Sequence, residues 1–269
     1  MMKRSNLFWG SAIVLLGAIL LASNLGIIQG NVWVFFWPAL VILAGVWFLL
    51  RSTVKGGSVE AVASNVPLQG ATSAEIAFKH GAGRLVVNAN ALAGDLLSGS
   101  FTGGVTADVD RSGAAAKVTL HTPTDLVFAG GLPFGGHGYE WQVGVSPEIP
   151  VKLRFETGAS ESLLDLSGLK ASDVTLETGA SSTEITTPAN AGYTRMKVES
   201  GVASVKITIP QGVGASIKVE SGLAGINIDS TRFTRDGDNY RSADYATAVN
   251  KIDLLAKVDF LSKKFDEIG

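Results

Sequence analysis

One phrase recurs four times in the chain, as LRFETGAS at 153–160, VTLETGAS at 174–181, MKVESGVA at 196–203 and IKVESGLA at 217–224. Its glycines are spaced 21, 22 and 21 residues apart, and self-similarity at such a period is typical of stacked repeats. A looser copy, IAFKHGAG, stands upstream at 76–83. The period therefore predicts a stack of similar structural units.

Within each copy, apolar and polar residues alternate up to the glycine, which is the period of a β-strand with one buried face. A second run of apolar residues follows the glycine, so each unit is predicted to be a strand, a glycine turn and a second strand. Stacking would bury one continuous apolar column, which no single unit could bury alone. The residues predicted to share that buried face are Leu153, Phe155, Val174, Leu176, Met196, Val198, Ile217 and Val219.

Two apolar runs precede the repeats, at 7–28 and 32–50. About 20 such residues in a helix cross a bilayer, so residues 1–51 are predicted to form a transmembrane helical hairpin embedded in lipid. A cleaved signal peptide is the competing interpretation of the first run, but that run is long and a second one follows it.

The basic residues around the two runs indicate an orientation. Lys3 and Arg4 precede the first run, Arg51 and Lys55 follow the second, and the connecting loop is uncharged. Because basic flanks favour the cytoplasmic side, the sequence predicts a two-span membrane protein with its large domain in the cytoplasm.

The rest of the chain divides by its patterning into three parts. Residues 52–72 are predicted to be a linker with a first short strand, and 73–260 an all-β, solenoid-like repeat domain. The alternating segment 252–260 is expected to close its sheet. Residues 261–269 are expected to be a charged tail.

Composition excludes several classes of function. Net charge is −2 and no basic patch is visible, which argues against nucleic-acid binding. The chain has no cysteine, so disulfides, thiolate metal sites and a cysteine nucleophile are excluded. No catalytic constellation and no cofactor motif is found, so the protein is predicted not to be an enzyme.

The repeat predicts one column of carboxylates, formed by Glu156, Glu177, Glu199 and Glu220. Hard cations prefer several carboxylate oxygens, so this ladder is a candidate cation site. In the alternative, the glutamates accept amide hydrogen bonds from their own turns, and basic residues two positions earlier offset their charge.

Two other features stand outside the repeat pattern. His80 replaces the Thr or Ser of the repeated phrase and is interpreted as a surface turn residue. The glycine-rich segment 128–139 presents apolar residues that could contact the bilayer or a partner protein; alternatively, its aromatic residues fold back on the domain. The candidate contact residues are Phe128, Leu132, Phe134 and Trp141.

Three phrases resemble the LiaF-like family of bacterial membrane proteins: WQVGVSPEIPVKLRFETGAS at 141–160, LDLSGL at 164–169 and YRSADY at 240–245. The resemblance implies a toast-rack domain of stacked short strands behind a hydrophobic N-terminal region in the bacterial cell membrane. Members of that family regulate envelope-stress signalling by restraining a partner histidine kinase until cell-wall-active antibiotics act. The resemblance thus implies a regulatory or scaffold protein that binds another membrane or signalling protein.

Two other functions stay open from the sequence. The repeat stack could assemble end to end as a structural protein at the membrane, because stacks expose strand edges at their ends. Alternatively, the domain could face the envelope and bind a ligand there.

Overall fold

The computed structural model describes residues 61–123, 139–201, 204–221, 226–237, 239–258 and 265–268, together with Trp37. Apart from Trp37, they lie in one of the two compact units into which the chain divides, Val59–Pro133 together with His137–Gly269. The described strands are, in order, β1 Ala61–Pro67, β2 Ser73–Asn88, β3 Asp95–Thr102, β4 Thr106–Ser112, β5 Ala115–His121, β6 Glu140–Val145, β7 Val151–Asp165, β8 Ala171–Thr178, β9 Ser182–Thr186, β10 Tyr193–Ser200, β11 Ser204–Thr208, β12 Val213–Ser221, β13 Ile226–Ile228, β14 Phe233–Asp236, β15 Asn239–Ser242, β16 Asn250–Val258 and β17 Phe265–Ile268.

The first strands of the repeats stack in parallel and in register. β2, β7, β8 and β10 are neighbours in one large sheet, and Leu153 lies between Ile76 and Val174. Met196 continues the same row. Because the apolar positions coincide, the predicted inward-facing residues are buried, except that Val219 is only partly so.

The fourth copy does not stack directly on the third. β16 lies between β10 and β12, so Leu254 separates Met196 from Ile217. The prediction that this segment closes the sheet at its end is therefore wrong. The strand inserts in the stack because Ile252, Leu254 and Ala256 alternate with the same period as the repeats and fill the same buried face.

The second halves of the units form a parallel row of their own. Leu164 of β7 lies opposite Ile185 of β9, which lies opposite Ile207 of β11. In β2 and β7 the strand runs through the glycine without a break, where a turn was predicted. Neither Gly81 nor Gly158 is among the glycines with positive φ, which agrees with a strand that continues through them.

β5 and β6 extend the parallel stack on β2, and antiparallel pairs lie beyond it on both sides. At one side the order is β1, β3, β6 and β2, and β5 pairs with the first half of β2 and forms a hairpin with β4. At the other side, β15 and β14 follow β12. The core runs through the whole stack. Phe78 and Phe155 stack at 4.9 Å between ring centroids, and each such buried side chain contributes about 1.5–3 kcal/mol to folding.

One predicted boundary differs from the strands observed, because the predicted charged tail contains β17, which pairs in parallel with β13. The short strand predicted within the linker 52–72 corresponds to β1. The predicted spans at 7–28 and 32–50 lie outside the described residues except for Trp37. Among the residues that are described, there is no helix long and apolar enough to cross a membrane.

Candidate functional site: the glycine corner

The repeated glycines form a column at the junction between the two halves of each unit, here named the glycine corner and defined by Gly81, Gly158, Gly179 and Gly201. A Cβ on Gly158 would lie 2.2 Å from the carbonyl oxygen of Gly81. The equivalent distance is 3.2 Å from Gly179 to the oxygen of Gly158, and 3.4 Å from Gly201 to that of Gly179. The repeat needs glycine because successive backbones approach closely at this corner.

The glutamates of the four copies lie on the outer flank of the corner. Glu156 is opposite Glu177, and Glu177 is opposite Glu199. Lys257 of β16 then stands between Glu199 and Glu220. The predicted column of four carboxylates is therefore interrupted, because the inserted strand contributes a cation to the row.

Basic side chains contact these carboxylates directly. The Arg154 guanidinium lies 2.7 Å from Oε1 of Glu156 and 2.8 Å from Oε1 of Glu177. Nζ of Lys79 lies 3.3 Å from Oε2 of Glu156. Hydrogen bonds from Arg154 and then from Lys79 hold the pKa of Glu156 below its usual value, although burial opposes this.

The other two glutamates are paired in the same way. Nζ of Lys197 lies 2.8 Å from Glu199, while Lys218 and Lys257 lie 3.0 Å and 3.2 Å from Glu220. These hydrogen bonds lower the pKa of both carboxyls. Within the described parts of the chain, no group of three or more histidines, aspartates or glutamates is placed to hold a metal ion.

A second column, of polar side chains, lines the inner flank of the corner. His80, Thr157, Thr178 and Ser200 follow one another in register and are all buried. The Thr157 hydroxyl donates to Oγ1 of Thr178 at 2.9 Å. Ser200 Oγ has no hydrogen-bond partner among the described residues; in the register of the next strand, Ser200 pairs with Val258.

His80 is buried, which corrects its interpretation as a surface turn residue. It is 1% exposed, and its ring meets that of Trp141 edge to face, with 5.0 Å between centroids. Burial lowers its pKa to about 4, although the Tyr139 backbone opposes this. Neither ring nitrogen has a hydrogen-bond partner of ordinary geometry among the described residues. The repeat could have revealed this burial, because His80 aligns with the inward-facing Thr157.

Both columns border one open groove of about 720 Å³ along the corner. The groove crosses four neighbouring strands, which are spaced about 4.8 Å apart in such a sheet. It presents the carboxylates, with the basic side chains paired to them, and backbone groups to a ligand, whereas the hydroxyls beneath are buried. Its lining residues include Lys79, His80, Thr122, Glu156, Glu177, Thr178, Glu199 and Ser200.

Comparison with known families supports what this architecture indicates. The family described as the N-terminal domain of toast_rack matches residues 55–208, which is more than half of the chain. The chain belongs to the LiaF-like toast-rack family. The LiaF transmembrane domain matches residues 8–69, so this toast-rack protein is a membrane protein.

One solved structure shares the fold of the toast-rack protein. It is the crystal structure of a protein from Clostridium sporogenes that is proposed to act in cell adhesion, with a TM-score of 0.66 and 19% identity. The match covers 74% of this chain and 95% of that one. At this identity the likeness shows the fold alone. The curated proteins gave no match.

Trp141 is the one predicted contact residue among the described residues, and the prediction that it lies at the surface is wrong. It is fully buried and packs edge to face on Phe101 at 5.5 Å as well as on His80. Its position on β6, between β2 and β3, directs the ring into the core. Phe128, Leu132 and Phe134 lie outside the described residues.

Sequence reasoning missed one further polar cluster. Asp253 of β16 accepts hydrogen bonds from Tyr193 at 2.6 Å and from Tyr245 at 2.5 Å. The bond to Asp253 is the largest of the effects that raise the pKa of Tyr245 to about 12. The cluster depends on β16 lying beside β10, so no local motif reveals it.

Proposed function

We propose that this toast-rack protein is a non-enzymatic regulator that binds another membrane or signalling protein through its glycine corner. Its family membership and its LiaF transmembrane domain support a role in the bacterial envelope-stress response. In this role it inhibits a sensor kinase until cell-wall-active antibiotics act.

The observation that carries the proposal is the shape and chemistry of the groove. Sites for small substrates usually enclose most of the ligand, whereas this groove is open along its length. Four strands spaced about 4.8 Å apart give the groove a length of roughly 14 Å, which a short segment of a partner protein covers.

We place the domain in the cytoplasm, on the strength of the basic residues that flank the two apolar runs. A reporter that is active only outside the cytoplasm, fused after Gly269, tests this placement. The reporter should stay silent while a cytoplasmic reporter at the same position is active. An active outer reporter would favour a ligand-binding envelope domain or an adhesion role like that proposed for the Clostridium sporogenes protein.

Photocrosslinking in living cells tests the partner. A photoreactive amino acid replaces Glu199 in the groove, and as a matched control it replaces Lys152, which is exposed on the same sheet. The Glu199 position should give an adduct with a membrane kinase that weakens after antibiotic treatment, and the Lys152 position should not. Equal adducts at both positions, or none with any protein, would rule out the groove as the binding surface.

A further inference from the structure

Four strands of the large sheet are hydrogen-bonded on one side only within the described residues: β1, β4, β11 and β14. Of these, β11 also has β17 of the small sheet alongside it. An open strand edge presents unpaired backbone N–H and C=O groups and readily accepts another strand. Proteins usually guard such edges with charged side chains, which makes the composition of each edge informative.

Three of the four edges carry charges that oppose pairing with a copy of themselves. An antiparallel pair of β4 strands centred on Val109 would put Asp108 opposite Asp110, and a pair of β11 strands centred on Lys206 would oppose two lysines. β14 has only four residues and ends in Arg235 and Asp236. Like charges directly opposite each other destabilise a strand pair.

β1 has none of these guards. Its sequence, AVASNVP, contains no charged residue, and Ala61, Val62 and Ala63 are all exposed. Only its C-terminal end is closed. There the register shifts between Val66 and Pro67, and the Arg111 guanidinium donates to the Pro67 carbonyl oxygen at 2.6 Å. The open part of the edge is therefore 61–65.

We infer that β1 pairs antiparallel with β1 of a second copy of the chain, centred on Ala63. Residues directly opposite each other in an antiparallel pair must point to the same face of the sheet. In a pair of identical strands, opposed residues are therefore an even number of positions apart, and the two-fold axis passes through a residue and not through a peptide bond. A pair centred on Ala63 uses the whole open edge and places Val62 opposite Ser64. All side chains in the pair are small and uncharged, so identical strands meet without repulsion.

The position of β1 in the chain favours a second copy as the occupant. The match to the LiaF transmembrane domain ends at residue 69, so β1 lies at the C-terminal end of the matched region, close in sequence to the predicted spans. Chains held in one bilayer raise each other's effective concentration at this edge. Because a two-fold interface uses the same patch on both chains, it closes as a dimer and does not propagate. The inference concerns assembly and is independent of which partner the groove binds.

Cysteine crosslinking of the full-length protein in membranes tests the pairing, because the chain has no cysteine of its own. Directly opposed Cα atoms lie about 4.5–5.5 Å apart in an antiparallel pair, within disulfide range. Under mild oxidation A63C should give a covalent dimer, at roughly tenfold the level of V109C on the exposed, charged β4 edge. V62C and S64C should crosslink to each other when coexpressed and much less to themselves.

Three results would overturn the inference: A63C dimers no more abundant than V109C dimers, V62C linking to itself as well as to S64C, or an A63C adduct with a different protein. A second measurement avoids thiol chemistry. A63K places two lysines opposite each other at the centre, so its detergent-solubilised form should be monomeric by light scattering where the parent is dimeric. An A63S control, which keeps the residue small and uncharged, should remain a dimer.

Discussion

Replacing His80 by leucine should remove a specific pH dependence from the stability of the toast-rack domain. The ring is buried beside Trp141, and its pKa is lowered from 6.5 to about 4 by that burial. Between these values the unfolded chain binds a proton that the folded chain does not. The free energy of unfolding therefore falls as pH falls from 6.5 towards 4.

The size of the effect follows from the shift. A difference of one pKa unit corresponds to about 1.4 kcal/mol, so a shift of about 2.5 units removes about 3 kcal/mol between pH 6.5 and pH 4. The stability is fully present above pH 6.5. H80L should lack this loss, and it also removes two buried ring nitrogens that have no partner among the described residues.

Urea unfolding of the detergent-solubilised chain, followed by Trp141 fluorescence, measures this difference. The other four tryptophans, Trp9, Trp33, Trp37 and Trp47, are replaced by phenylalanine so that only Trp141 reports. Carboxylate titrations are common to both proteins and cancel in the comparison. H121Q is the matched control, because His121 is partly exposed and faces Asp108 across the β4–β5 hairpin. When both proteins also carry H121Q, the parent and H80L should still differ in how their free energy of unfolding depends on pH. Parallel stability curves for parent and H80L between pH 4 and 6.5 would refute the burial of a neutral His80.

Two further predictions concern the corner and the cluster that β16 completes. G158A should destabilise the domain by several kcal/mol and more than G179A, because its Cβ would lie 2.2 Å, and not 3.2 Å, from a fixed carbonyl oxygen; equal effects in urea unfolding would contradict the close approach. D253N should lower the pKa of Tyr245 from about 12 towards its ordinary value, which ultraviolet titration of the phenol detects. An unchanged titration would mean that the carboxylate of Asp253 is not the cause.

Much of the stack could be predicted because its determinants are local. Alternation decides which side chains point inward, and this placed Leu153, Val174 and Met196 in the core. The repeated glycine marks the corner where backbones approach. Basic residues two positions before a glutamate, such as Lys197 before Glu199, lie on the same face of the strand and reach it without any tertiary information.

Only the tertiary structure decided which strands are neighbours. Alternation is the same for every strand of a parallel stack, so it does not specify which strands are neighbours. By this pattern β16 could take any position that continues the register. Its insertion puts Lys257 into the glutamate row and brings Asp253 to two tyrosines. Likewise, the burial of Trp141 depends on β6 pairing with β2 and β3 from distant parts of the chain. The sequence by itself determined the repeating unit and its inward face, whereas long-range pairing decided the order of the stack, because contacts between distant segments leave no local pattern.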